Sequence, residues 1–229
     1  MSGLCSKTVK EYGLVAGAGV VGIADSKDFS SAPDGFRPTD VLRECLSVIV
    51  FGVPFPKEAL TMDPPAYTAL RNEKLTEMTD IAKKVAKRIK ADGYKSMAIS
   101  ASGGKTIEID GRKEHFGHIS LKHAAEIAGL GVIGKNYLLT SPEHGNLLWL
   151  SAVLTDASLT PDSRLQSSIC DGCNLCVEAC PAGALGDISS FGKKGCSQHF
   201  KIEDKKFLIK CYLCRAVCPH RFGILEGAG

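Results

Sequence analysis

Eight of the ten cysteines in this 229-residue chain lie between Cys170 and Cys218, and their spacing limits the fold more than any other feature. Cys170, Cys173, Cys176 and Cys180 follow one another at intervals of three, three and four residues, with Pro181 next. Three thiolates in one tight loop can cap three corners of an iron–sulfur cube, while the fourth, one helical turn on, points away to a neighbouring cube. The second half is incomplete: Cys211, Cys214, Cys218 and Pro219 lack a leading cysteine, and Cys196, fifteen residues upstream of Cys211, is the nearest one free to supply it. A crossed arrangement then predicts two [4Fe–4S] clusters. One is held by Cys170, Cys173, Cys176 and Cys218, the other by Cys180, Cys196, Cys211 and Cys214.

Zinc sites favour two separated cysteine pairs or a mixture with histidine, which this run is not. Disulfides conflict with such crowding and with the compartment. No apolar segment approaches the length of a membrane span and Met1–Glu11 has no apolar core, so a cytoplasmic, reducing location is expected. Cys5 and Cys45 have no partner motif and read as a free terminal thiol and a small buried residue. With 44% hydrophobic and 23% charged residues the chain is globular, neither a disordered polymer nor a disulfide mini-protein. The formal charge of +3, without a long basic run, gives no reason to expect a nucleic-acid or membrane partner. From Lys193 to Arg221 eight basic residues face only Glu203 and Asp204. That surround would raise cluster potentials or dock an acidic electron donor; it is equally the solvated charge of an ordinary loop.

The rest of the chain predicts an α+β domain over residues 1–160, followed by a two-cluster, bacterial ferredoxin-like domain over 161–229. Lys7–Ala18 reads as a helix, Val20–Ala24 as a buried strand and Asp40–Leu46 as a helical turn. Ser47–Val53, β-branched and closed by Pro54, is the strongest strand. A long helix from Ala66 to Ala91 carries Leu70, Met78, Ile81, Val85 and Ile89 on one face and Lys83, Lys84, Lys87 and Arg88 on the other. Strands over Tyr94–Ala101, Thr106–Ile109 and Leu147–Leu154, and a helix over Leu121–Ala128, complete the domain; Leu159–Asp162 marks its end.

Two stretches match G-x-G-x-x-G, Gly17–Gly22 and Gly129–Gly134. A dinucleotide fingerprint needs a strand entering the loop and a helix leaving it, whereas both of these follow helices. The first reads as a helix C-cap and turn. The second stays open, because close-approach glycines can line another ligand.

The run His123–Asn136, then Ser141-Pro142-Glu143-His144-Gly145, Leu154-Thr155-Asp156, and the wide spacing of Cys196 from Cys211, resembles the epoxyqueuosine reductases and their reductive dehalogenase relatives. The resemblance implies a nitroreductase-related, cobalamin-binding-like domain ahead of the ferredoxin-like one. It also implies cobalamin or another corrinoid, bound base-off, as a further cofactor, with Gly129, Gly131, Gly134, Lys135 and Asn136 approaching it. The implied activity is an oxidoreductase whose clusters reduce a corrinoid, acting on a small molecule or on another corrinoid. The electron donor would be a protein of ferredoxin or flavodoxin type.

The chain departs from that family at three places. Pro65-Ala66-Tyr67-Thr68 stands where those reductases carry an acidic proton donor. Asn136 stands where they usually have histidine. The sequence ends at Gly229, so the C-terminal helical-repeat region is expected to be absent. His115, His118 and Tyr67 are candidates for a replacement proton donor, beside their readings as structural groups. The sequence is also compatible with an electron carrier whose N-terminal domain binds a partner and no corrinoid, and with a flavin reductase, for which it carries no phosphate-binding motif.

Overall fold

The computed structural model describes residues 3–109, 112–166, 169–170, 172–186, 196, 200–203 and 206–224. They form two compact units. The first comprises Met1–Val53, Leu75–Leu130 and Trp149–Leu165, the second Pro54–Lys74, Gly131–Leu148 and Gln166–Gly229. The sequence predicts two consecutive segments, 1–160 and 161–229. The second unit instead draws in 54–74 and 131–148 as well, because side chains and glycines on those stretches pack on the cysteine loops.

In the first unit α1 (Ser6–Ala16) ends at Gly17, whose left-handed φ of 114° lets its N–H turn back to the carbonyls of Gly13 and Leu14. The first glycine pattern is therefore a helix stop. It feeds β1 (Val20–Asp25), which pairs antiparallel with β2 (Ser47–Pro54) from Val20↔Gly52 to Asp25↔Ser47. A short helical turn, α2 (Pro38–Val41), lies between them. The long helix α3 (Pro64–Ala91) is followed by β3 (Ser96–Ile99), then by a hairpin of β4 (Gly104–Ile109) and β5 (Arg112–Gly117). α4 (Leu121–Ile127) comes next, and after the short strands β6 (Val132–Ile133) and β7 (Leu139–Thr140) the chain enters β8 (Leu148–Thr155). The sheet order is β1-β2-β8-β3, with β3 antiparallel to β8.

Alternation along the strands sends Ile23, Ile49, Phe51 and Val153 into one core with Val9 of α1 and Met78, Ile81, Val85 and Ile89 of α3. The opposite face includes Gly22. A Cβ there would meet the Ala128 carbonyl at 2.6 Å, so only glycine lets the end of α4 lie against β1. The edge strand β1 is closed by Asp162. Its carboxylate accepts the Ile23 N–H (2.9 Å) and pairs with Lys10 (2.5 Å), and its own N–H donates to the Ile23 carbonyl (2.8 Å). Among the described residues no helix is long and apolar enough to cross a membrane.

In the second unit β6 and β7 pair as a small hairpin (Val132↔Thr140, Ile133↔Leu139). α5 (Leu175–Glu178) and α6 (Leu213–Ala216) pack against each other, and a second hairpin joins β9 (Phe200–Glu203) to β10 (Lys206–Ile209). The Thr68 hydroxyl accepts the Ile209 N–H (2.9 Å), tying the start of α3 to that hairpin.

Candidate metal centre

Each short helix presents one cysteine from its first turn: Cys176 on α5 and Cys214 on α6. Cys170 and Cys173 precede α5, and Cys180 follows it. Cys211 precedes α6, and Cys218 follows it. One cavity of the second unit is lined by Cys170, Cys173, Cys176 and Cys218, together with Gly134, Asn136, Thr140, Ile169, Pro219 and His220. The structure thus brings Cys218, from the second half of the motif, to the three cysteines of the first half.

Cys196 lies within electrostatic reach of Cys180, Cys211 and Cys214. The Cys196 thiol is pushed up by burial and then by the charges of Cys211 and Cys180. Burial pushes Cys214 up to about 11; Arg215 pulls it down, while Cys196, Cys211 and Cys176 add to the rise. In the first set, burial and then the charges of Cys170, Cys218 and Cys173 raise Cys176, and burial is also the main cause of the rise at Cys218. Buried thiols held protonated must release their protons when metal binds.

The donor set fits iron–sulfur clusters: soft thiolates, no carboxylate among the cavity's described lining residues, and backbone N–H groups aimed at sulfur. The Lys135 N–H donates to Cys170 Sγ and the Ala184 N–H to Cys180 Sγ, each at 3.3 Å. The His220 backbone N–H also bonds Cys218 and lowers its thiol.

The glycine stretch that the resemblance gives to a corrinoid divides between the two units. Gly129 abuts the Ser163 carbonyl in the first unit, and Gly131 abuts the Thr140 carbonyl in the second. A Cβ on Gly134 would lie 3.4 Å from Cys170 Sγ. The Lys135 ammonium donates to the Cys173 carbonyl (3.1 Å) and to Asn174 Oδ1 (2.7 Å). Asn136 is buried, with Nδ2 donating to the Cys214 carbonyl (3.3 Å) and Oδ1 accepting the Leu138 N–H (3.1 Å). Gly134, Lys135 and Asn136 thus contact the cysteine loops of the second unit, whereas Gly131 packs on Thr140.

Tyr67 is 2% exposed, stacked on Tyr212 at 4.4 Å between centroids and tilted against Phe55 at 5.8 Å. Burial raises its phenol, with Arg215 opposing that rise. It occupies the core of the second unit. His115, on β5 opposite Thr106, and His118, just after that strand, belong to the first unit, and the His115 side chain is exposed.

A clamp with no counterpart among the sequence expectations holds the chain after Cys218. Gly145 has a φ of 56° and sits so close to the backbone of His220 and Arg221 that a Cβ would overlap both. Gly223 approaches the Pro142 and Glu143 carbonyls in the same way (2.6 and 2.8 Å for a Cβ), and the Ile224 N–H donates to the Pro142 carbonyl (2.8 Å). The buried Asn146 donates to the Arg215 carbonyl (3.2 Å) and helps lower Cys218. The signal in the sequence was the Ser141–Gly145 motif itself.

Residues 169–222 match the family of 4Fe-4S dicluster domains. Epoxyqueuosine reductase of Listeria monocytogenes is 36% identical over 47% of this chain and 31% of its own length. That of Synechococcus sp. (strain RCC307) is 38% identical over 42% of this chain and 32% of its own. The matched segments thus span about a third of those relatives. Among solved structures, a reductive dehalogenase described with a mechanism for B12-dependent dehalogenation superposes with a TM-score of 0.74. It shares 21% identity, and the match covers 96% of this chain and 32% of the other. An epoxyqueuosine reductase bound to a tRNA stem loop superposes with a TM-score of 0.63 at 19% identity, over 94% and 64% of the two chains. The fold is accordingly the mixed helix-and-sheet arrangement with a C-terminal two-cluster, ferredoxin-like part.

Proposed function

We propose that this chain, a relative of the epoxyqueuosine reductases and reductive dehalogenases and an iron–sulfur redox protein, passes electrons one at a time from a donor protein through two clusters to a bound corrinoid. The observation that carries the proposal is the cavity shared by Cys170, Cys173, Cys176 and Cys218, the grouping that crossed ligation requires. On this reading those four hold one [4Fe–4S] cluster, and Cys180, Cys196, Cys211 and Cys214 hold the other. When bound, the clusters supply single-electron transfer over a wide range of potentials. The protein fixes the thiolates on α5, α6 and their flanking loops, directs N–H groups at Cys170, Cys180 and Cys218, and keeps Cys176 buried.

The corrinoid reading rests on the family-like run from His123 to Gly145 and on the fold shared with the B12-dependent dehalogenase. A small molecule or another corrinoid is then the substrate, and a ferredoxin or flavodoxin the donor. The relative with a bound tRNA stem loop sets a nucleic acid beside these as a substrate class, against the expectation from charge alone. A second reading, the electron carrier without a corrinoid, is favoured by particular contacts. Lys135 and Asn136 are engaged on cysteine loops, and Tyr67, where the family has its acid nearby, is closed in an aromatic stack.

The test is anaerobic reconstitution with iron and sulfide, addition of hydroxocobalamin, desalting and a UV–visible spectrum. Retention of base-off cobalamin at micromolar protein supports the corrinoid reading. Full iron with no retained cobalamin leaves the carrier.

A further inference from the structure

We propose that Lys135 sets the potential of the cluster on Cys170, Cys173, Cys176 and Cys218, a positioning and tuning role that rests on the cluster reading above. Two separate groups of this residue reach the same loop. Its backbone N–H donates to Cys170 Sγ at 3.3 Å. Its ammonium donates to the carbonyl of Cys173 at 3.1 Å and to the Asn174 side chain at 2.7 Å.

The local backbone is shaped for this. The Tyr137 N–H closes a turn onto the Gly134 carbonyl (2.8 Å), and Tyr137 itself takes a left-handed φ of 58°, unusual for a residue with a side chain. Gly134 lies against Cys170, leaving no side chain between the turn and the sulfur. Reducing a cluster adds one negative charge. An N–H aimed at a ligand sulfur and a cation on the ligand loop both stabilise that charge, so both raise the potential. Among the described residues the acceptors of the ammonium, the Cys173 carbonyl and Asn174 Oδ1, are both neutral.

The test replaces the charge and leaves the main-chain bond in place. Reconstituted wild type, Lys135→Met and Lys135→Arg are titrated potentiometrically and followed by electron paramagnetic resonance, with iron measured on each. Lys135→Met should keep its iron and lower one of the two one-electron waves. At a fixed potential the reduced-to-oxidised ratio of that cluster should fall about tenfold, which is about 59 mV for a one-electron couple. The second wave should stay in place, and Lys135→Arg should restore the first. Unchanged waves in a fully loaded Lys135→Met overturn the proposal. So does loss of iron in Lys135→Met that Lys135→Arg restores without any separable change of potential, which would make the residue a mere staple. Failure of the wild type itself to bind two clusters would instead overturn the underlying cluster reading.

Discussion

Gly145→Ala should remove one cluster and spare the other. Gly145 sits at a φ of 56°, where an alanine costs roughly 1–2 kcal/mol in backbone strain. The contact is the larger effect. The new Cβ would lie more than half an ångström inside the 3.0 Å from His220 and Arg221 that real Cβ atoms essentially never cross. Carbon contacts are most favourable near ~3.5 Å, so the backbone after Cys218 would have to recede by roughly 1 Å. Cys218 is only two residues from His220, and on the proposed ligation such a displacement would pull it off its cluster. Iron and sulfide analysis should show about four of about eight irons lost, with the spectrum of the second cluster retained. Gly145→Asn separates the causes, because asparagine tolerates a left-handed backbone yet brings the same Cβ. Equal iron loss in both variants identifies the contact as the cause. Full iron content and unchanged potentials in Gly145→Ala would refute the clamp.

Cys196→Ala should lose the cluster assigned to Cys180, Cys196, Cys211 and Cys214 and keep the other; iron analysis showing no loss would refute the crossed ligand set. Asp162→Ala removes a charged acceptor from the Ile23 N–H and a half-exposed pair with Lys10, for a cost of about 2 kcal/mol. Calorimetry should then show a fall of roughly 4–8 °C in the unfolding midpoint, and an unchanged midpoint would remove Asp162 as the lock on the sheet edge. The exposed Cys5 is held below the usual thiol range by the Thr8 hydroxyl and N–H at the start of α1, whereas burial pushes Cys45 up to about 11. The thiolate is the reactive form, and its share grows as pH approaches the pKa from below. Near pH 8, alkylation followed by mass spectrometry should therefore modify Cys5 at least about tenfold faster than Cys45, and equal rates would contradict the assignment.

Much of the first unit was legible because its signals are local. The β-branched run Ser47–Val53 becomes β2, and Met78, Ile81, Val85 and Ile89 form the buried face of α3. Gly17 ends α1 as a C-cap glycine should. β5 was not legible: Arg112-Lys113-Glu114-His115 has no apolar alternation, and its strand state comes from pairing with β4. The hairpin of β9 and β10 does carry a local signal, since Phe200-Lys201-Ile202-Glu203 alternates apolar and polar residues as a strand does, but the cysteine spacing dominates the reading of that stretch. The grouping of Cys218 with Cys170, Cys173 and Cys176 around one cavity was legible from spacing, because short cysteine intervals encode a compact set of thiols. The partners of Lys135, Asn136, Gly145 and Asn146 were not, since each meets a loop between 35 and 78 residues away. For the same reason the second unit gathers stretches that the sequence assigns to the first domain. The reading of Tyr67 as a core aromatic matches its stack with Tyr212.

The most direct test of the central claim is a potentiometric titration of the anaerobically reconstituted chain, with metal analysis of the same sample. The account predicts about eight irons per chain and two one-electron waves. One or two zinc ions with no iron, or a single wave from about four irons, would contradict it.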